Sequence, residues 1–329
     1  MAGRDQGKYV VLRTLDILRT YTDEEHSLNA AGINEHLKKD DLDVERKTIY
    51  RNIEALQKAG YDIFRSGSGF ALGARDFEVP EVRLLMDAVQ SANFITVGKT
   101  KQLIKKLGHL ISHHQFKELK KQVFIDYRQK CENESVYYSI DAIMEGIKQN
   151  KKIAFKYLEY DDDRNVVPRH EGRVYEVSPY ALVWVNDSYY LIGNMDKYDN
   201  VSHFRVDRLH TTFTMEDKRR PIESIPGFEE GWDAARYIKG RFAMFSGDEV
   251  RVQLRFHKSL RTVVYDKFTT EVTAMDEGDT MLVTTTILAD NAFYAWMFML
   301  GDRAEIVSPD SVRESMQVRC QAMMKAYDG

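Results

Sequence analysis

The chain has 329 residues, of which 43% are hydrophobic, 11% aromatic and 30% charged, enough apolar side chains for packed cores and too mixed a composition for a disordered or low-complexity protein. At roughly 100–200 residues per domain, that length predicts two or three folded units. The net charge of −4 excludes a uniformly basic nucleic-acid coat, and the lack of an apolar leader or of 18 consecutive apolar residues predicts a cytoplasmic protein with no membrane partner.

From Lys8 to Tyr21 the apolar residues Val11, Leu12, Leu15 and Leu18 make the stripe of an amphipathic helix. Ser27 is the expected cap of a second helix carrying Leu28, Ala31, Ile33 and Leu37, which ends at the polar run Lys38-Lys39-Asp40-Asp41. Asp43 is the expected cap of a third, Glu45 to Ala59, with Ile49, Ile53 and Leu56 on one face and Gly60 as terminator. Its other face carries Lys47, Arg51, Glu54 and Lys58, flanked by Thr48 and Tyr50. A strand-like alternation from Tyr61 to Arg65, turn residues Ser66-Gly67-Ser68-Gly69 and a returning Phe70-Ala71-Leu72 complete the pattern of a helix-turn-helix with a wing.

An outward face of this kind fits a major groove. Lys47 and Arg51 lie in its first half, where both can hydrogen-bond guanine or phosphate, and Arg46 is better placed for phosphate. Charges on an exposed helix face also fit simple solvation. The run Arg46-Lys47-Thr48-Ile49-Tyr50-Arg51-Asn52-Ile53-Glu54-Ala55-Leu56, followed by Ala59-Gly60-Tyr61-Asp62-Ile63, resembles the recognition-helix signature of bacterial DeoR-like winged helix-turn-helix regulators. The resemblance covers roughly residues 8–73, with Asn52 where those regulators often have Asp. It implies double-stranded operator DNA as partner, a homodimer as the working form, and Arg46, Lys47, Thr48, Tyr50, Arg51 and the wing residue Arg65 as DNA contacts.

The next segment reads as a helical connector. A helix starts at Pro80-Glu81 with Val82, Leu84, Leu85, Ala88 and Val89 inside, another runs from Lys99 to His113, and a third from Ser135 to Gln149. Residues 98–130 hold nine Lys and Arg, including Arg128, against Glu118 and Asp126, a basic excess that fits a solvated face or a phosphate track. His109 and His113 stand one helical turn apart beside His114, but no Cys, Asp or Glu joins them at helical spacing, so no metal is expected. Cys131 and Cys320 are far apart and lack a C-x-x-C spacing, which argues against a disulfide framework and a thiolate zinc site.

After Asn150 the periodicity changes to short β-like runs: Lys152–Tyr157, Arg173–Ser178, Leu182–Val185, Tyr189–Gly193, Ser202–Val206 and Thr211–Thr214. Turn residues Asn165, Gly172, Asn186-Asp187 and Asp199-Asn200 separate them, and so many short strands favour a small barrel. The succession Ser178-Pro179-Tyr180-Ala181-Leu182, Asp187-Ser188-Tyr189-Tyr190-Leu191-Ile192-Gly193 and Phe204-Arg205-Val206-Asp207-Arg208-Leu209 resembles the WYL domain family, with Tyr189 in place of the eponymous Trp. That resemblance implies an Sm/SH3-like β-barrel that binds an anionic effector, a nucleotide or nucleic acid, and by matching position nominates Tyr157, Ser178, Tyr180, His203, Arg205 and Arg208. Guanidinium forks and aromatic faces suit such a ligand, although Arg205 and Arg208 also have Asp207 and Glu176 as candidate ion-pair partners.

From Glu249 on, a strand (Val250, Val252, Leu254, Phe256), a helix near His257 to Asp266, strands Thr270–Ala274 and Met281–Leu288, an apolar helix Asn291–Leu300, a strand Ala304–Val307 and a last helix Pro309–Tyr327 suggest a ferredoxin-like α+β extension, like that often found after WYL domains. The fold class read from the sequence is thus α+β multidomain: a winged helix-turn-helix (1–75), a helical connector (76–139), a WYL β-barrel (140–220) and the C-terminal α+β extension (221–329). No Gly-x-Ser-x-Gly elbow, P-loop, His-Glu-x-x-His or dinucleotide glycine fingerprint occurs, so neither catalysis nor a cofactor is expected. The function that follows is a sequence-specific DNA-binding transcription regulator controlled by an anionic ligand at the barrel. The alternative is an accessory factor that binds single-stranded nucleic acid without sequence preference.

Overall fold

The computed structural model describes residues 2–122, 130–185, 187–233, 237, 249–268 and 272–327. Asn186, Asp126, Arg128 and Thr270, named above, lie outside these residues. The chain divides into two compact units, 1–134 and 135–329.

The first unit begins with α1 (Ala2–Tyr21), α2 (Ala30–Lys38) and α3 (Arg46–Lys58), followed by the hairpin β1 (Ile63–Ser66) and β2 (Gly69–Leu72). Leu15, Leu18, Ile33, Leu37, Ile49, Ile53, Leu56, Ile63 and Leu72 close into one core. Two expected helix caps are corrected. Asn29, not Ser27, caps α2, its side chain accepting from Gly32 N. Ser27 and Leu28 are held extended by the wing: Leu28 and Phe70 exchange backbone hydrogen bonds of 3.0 and 2.8 Å, and Ser27 Oγ donates to Ser66 O at 3.0 Å. Asp43 does not cap α3 either. It accepts from Asn34 Nδ2 at 2.9 Å and faces Lys38, while Glu45 holds the cap position without a side-chain bond.

The chain leaving the wing is fastened at several points. Leu72 N donates to Thr22 Oγ1, Gly73 N to Asp62 O, Ala74 N to Asp62 Oδ2, and the Arg75 guanidinium to the carbonyls of Arg19 and Thr22. Next come α4 (Val79–Ser91), α5 (Val97–Leu107) and α6 (His113–Gln122), packed around Val82, Met86, Ile104, Ile111 and Leu119. The buried face of α4 is Val82 and Met86, so the expectation that Leu84, Leu85 and Ala88 point inward is corrected; Leu84 is 71% exposed. The single helix expected from Lys99 to His113 is broken after Leu107. Ser112 starts a new helix by a reciprocal cap, its Oγ accepting from Gln115 N while its own N donates to Gln115 Oε1.

The second unit opens with α7 (Val136–Gln149), which lies on β8 (Leu209–Lys218) of a curled sheet, Thr214 Oγ1 donating to Ala142 O and the Ser139 and Thr212 hydroxyls bonding each other. That sheet contains β3 (Lys151–Tyr160), β4 (Val166–Pro168), β5 (Val174–Val185), β6 (Ser188–Asn194) and β7 (Ser202–Arg205) in the order β4-β3-β5-β6-β7, with β8 returning to pair with β3. The runs expected as two strands, Arg173–Ser178 and Leu182–Val185, are one bent strand. Its first part pairs with β3 and its second with β6, with a register shift between Pro179 and Ala181. The last part of the unit is β9 (Glu249–His257), α8 (Arg261–Phe268), β10 (Thr273–Glu277), β11 (Thr280–Leu288), α9 (Asn291–Met299), β12 (Ala304–Ser308) and α10 (Asp310–Tyr327). The four strands are antiparallel in the order β10-β11-β9-β12, around a core that includes Leu254, Phe256, Val264, Phe293 and Met297. The helix expected to start near His257 starts at Arg261 instead, after a 3-10 turn begun by the His257 side chain accepting from Ser259 N.

Candidate DNA-contact face and ligand cleft

Because Ile49, Ile53 and Leu56 anchor α3 to the core, Lys47, Arg51, Glu54 and Lys58 all emerge on the exposed side, as their spacing predicts. Lys58 pairs with Glu54 at 2.7 Å. Lys47 and Arg51 make no ion pair or hydrogen bond among the described residues, and Thr48 is half-buried beside them.

A second group ties the helix to the wing. Arg46 donates from Nε and Nη2 to the Tyr50 hydroxyl, at 3.2 and 2.8 Å, and its guanidinium lies 5.4 Å from that ring's centre. Tyr50 meets Phe70 edge-on at 5.6 Å, and Phe70 carries the Arg65 guanidinium 5.5 Å above its own ring. The Tyr50 hydroxyl is held below its ordinary pKa, by the Arg46 hydrogen bond first and the charges of Arg46 and Arg65 after it. Two guanidiniums from distant parts of the chain are thus spaced by one tyrosine, a relation no local periodicity reveals. Asn52 is buried, and its Nδ2 has no hydrogen-bond partner among the described residues.

In the second unit the six nominated residues fall into separate environments. Ser178 Oγ accepts from Arg220 N at 2.9 Å and the Tyr180 hydroxyl donates to Arg220 O at 2.9 Å, so both hold the chain after β8; burial pushes the Tyr180 hydroxyl up to about 12. The Tyr157 hydroxyl accepts from Arg205 N at 3.2 Å, and burial raises its pKa. Arg205 forms a fork with Asp207, at 3.1 and 2.7 Å, which raises the guanidinium's pKa further. Arg208 is half-exposed and makes no ion pair among the described residues. His203 hydrogen-bonds the Tyr237 hydroxyl at 2.7 Å and is the one of the six that lines a cleft.

That cleft, about 420 Å³, is bounded by Arg169, His170 and Arg173, by Met195, Lys197 and Tyr198, and by Ser202 and His203, with Tyr175 and Phe204 between them. Tyr175 and Phe204 belong to an aromatic cluster with Phe155 and Tyr157, which gives the cleft a rigid base. Arg173 lies 6.0 Å over the Tyr175 ring and Lys197 4.4 Å over Tyr198, whose hydroxyl the lysine holds below its ordinary pKa. Arg169 pairs with Glu159 at 3.2 Å. His170 and Glu171 adopt left-handed backbone angles, φ 50° and 56°, at the turn that brings Arg169 and Arg173 to one wall. Cations beside flat rings, in a space of this size, can bind phosphate oxygens and stack a base. Sequence reasoning found only His203 here; the dense pairs Arg169-His170, Arg173-x-Tyr175 and Lys197-Tyr198 were the available signal.

Comparison with known proteins gives matches in both parts of the second unit. A WYL domain model matches residues 139–213 and a WCX domain model residues 248–324. A curated relative described as an uncharacterized HTH-type transcriptional regulator, YobV of Bacillus subtilis (strain 168), is 20% identical over 303 residues, 87% of this chain and 91% of the relative. Among solved structures, proteasome accessory factor B/C (PafBC) of Arthrobacter aurescens is 14% identical, with a TM-score of 0.28 over 98% of this chain; the chain spans 49% of that protein's length. A CRISPR Cas-related protein is 15% identical, with a TM-score of 0.37 over 92% of this chain and 78% of its own. The second unit thus carries a segment that matches the WYL domain followed by one that matches the WCX domain.

Proposed function

We propose that this chain is a transcription regulator that binds operator duplex as a homodimer through α3 and the wing, and that an anionic effector in the WYL cleft sets its affinity for DNA. The observation that carries the reading is the outward face of α3, where Lys47 and Arg51 stand unpaired among the described residues and Arg46 and Arg65 flank them, spaced by Tyr50. Such a face suits base reading by the central cations and phosphate binding by those at the rim. The description of the Bacillus subtilis relative as an HTH-type transcriptional regulator supports the same role. The activity is binding, with no catalytic step. A nucleotide or nucleic-acid effector is favoured by the cations and rings of the cleft, which also support the second reading, an accessory factor acting on single strands.

The test is to recover genomic fragments with the purified chain at near-physiological salt and repeat the selection with Arg51→Ala. One enriched motif with paired half-sites is expected, and loss of a bidentate base contact should cost about 1–3 kcal/mol, or about 5- to 150-fold in affinity. Enrichment unchanged in the variant would refute the assigned role of Arg51. Unselective recovery would favour the single-strand reading.

A further inference from the structure

Between residues 97 and 121 the chain has seven lysines and one glutamate, a local excess of six positive charges in a protein of net charge −4. On α6, Leu119 is buried and Phe116 packs beside it, which turns Lys117, Lys120 and Lys121 outward; all three are exposed. Among the described residues, Lys121 pairs with the exposed Glu118 alone, at 2.7 Å, and Lys117 and Lys120 make no ion pair. An exposed pair of that kind holds its lysine weakly.

What gives this face a direction is the way α6 is fixed to the head. Asp23, buried in the loop between α1 and α2, accepts from Ser112 Oγ just before α6 and from His26 Nδ1. The rings of His26 and His114 stack with centroids 3.8 Å apart and planes within 3° of parallel, and Gln115 reaches Glu24 at 3.2 Å. His26 is followed by Ser27 and Leu28, the two residues bonded to the wing at Ser66 and Phe70. The wing's Arg65 lies on Phe70, which touches Tyr50 of α3. One continuous chain of contacts therefore runs from the recognition helix over the wing and the stacked histidines to the start of α6. Lys117 is close enough to weigh on His114, whose pKa lies below the ordinary imidazole value through burial first and then the neighbouring His26, His113 and Lys117.

We propose that Lys117, Lys120 and Lys121 form a phosphate track that continues the wing, so that the connector binds the backbone of duplex DNA beyond the base pairs read by α3. The proposal rests on the operator-binding reading above and adds a second, sequence-independent contact to it. From Lys117 to Lys121 is four residues, or about 6 Å of helix, which matches two to three phosphates at about 3.4 Å of axis each along one strand. Such contacts raise affinity without reading sequence, and each releases counterions on binding.

The experiment compares the full chain with the Lys117→Gln, Lys120→Gln, Lys121→Gln triple variant on the operator recovered by selection, in two duplexes. One ends flush with the motif and the other carries about ten extra base pairs of arbitrary sequence at each end. Dissociation constants are measured by fluorescence anisotropy between about 50 and 200 mM salt. For the native chain the log-log salt dependence is expected to be steeper on the long duplex by about two to three per protomer, at about 0.9 for each phosphate contact. The variant is expected to show one slope on both duplexes, equal to that of the native chain on the short one. A variant that keeps the steep slope, a native slope indifferent to flank length, or an equal loss on both duplexes would each overturn the track. Failure of the native chain to bind any duplex would overturn the operator-binding reading itself, a different result from a track that fails on a bound operator.

Discussion

Gly69→Ala tests how the wing is held. A Cβ at Gly69 would lie 2.8 Å from the backbone carbon of Leu28, 2.9 Å from its carbonyl oxygen and 2.8 Å from Ser27 Oγ. Two of these atoms are backbone, so no rotamer change relieves the overlap. The wing has two responses. Keeping the Leu28–Phe70 bridge under strain costs about 1–3 kcal/mol, the range for an overpacked contact. Opening it gives up the 3.0 and 2.8 Å backbone hydrogen bonds and the Ser27–Ser66 bond, at about 1 kcal/mol each. The cheaper response caps the loss, so we expect about 1–3 kcal/mol, or roughly 3–12 °C in the melting of the first unit. If the bridge opens, Phe70 no longer seats Arg65 against Tyr50, and operator affinity falls as well. Calorimetry on the full chain and anisotropy on the operator read the two effects. Gly67→Asn is the control: the residue has φ +57° and open space around its Cβ position, and asparagine tolerates that conformation. If Gly69→Ala melts and binds like the native chain, or if Gly67→Asn is equally damaging, the close approach to Leu28 does not hold the wing.

Two further outcomes follow from one buried charge and from the exposed cations of the cleft. Burial tends to raise the Asp23 carboxyl, but hydrogen bonds from Ser112, His26 and the backbone of Glu25 and His26 outweigh it and hold the group below its ordinary value. Its stabilising effect is therefore present above the unfolded carboxyl's pKa, near 3.9, and is lost as pH falls through the lower folded value. Asp23→Asn turns an acceptor into a donor facing donors, so melting is expected to drop at pH 7 and the gap from the native chain to shrink below about pH 4; a gap constant with pH would refute the assignment. In the cleft, Arg173→Ala with Lys197→Ala is expected to weaken binding of a short single-stranded oligonucleotide or a nucleotide at least tenfold in titration calorimetry, with no change in barrel melting. Unchanged affinity would place the effector elsewhere.

Helix α3 was legible because its information is local: Ile49, Ile53 and Leu56 at helical spacing fix which side Lys47 and Arg51 occupy. Caps were not, since Ser27, Asn29 and Asp43 all have capping side chains and the choice among them was made by Phe70 and Ser66, far along the chain, and by Asn34 on the neighbouring helix. In α4 the reading favoured leucines over Met86, yet Val82 and Met86 take the buried face and Leu84, two residues from each, falls opposite. The strands of the second half were found nearly in place by alternation, whereas the bend that joins two of them into β5 depends on which neighbour each half pairs with. The cleft was the least legible, because its walls come from a left-handed turn, the loop after β6 and β7, brought together only by the curl of the sheet.

The bonds that fasten residues 72–75 to Thr22, Asp62 and Arg19 have a mechanical consequence. A segment leaving a wing is ordinarily a place where the chain can swivel. Here the exit is splinted to the end of the first helix, and α6 is clamped to the same corner through Asp23. Torque applied to α6 therefore reaches α3 as a turn of the whole head, like a key bit moved by its shank. On the proposed reading, an effector that acted through the connector of a dimer would re-aim its two heads against each other, while leaving each head's own set of contacts intact.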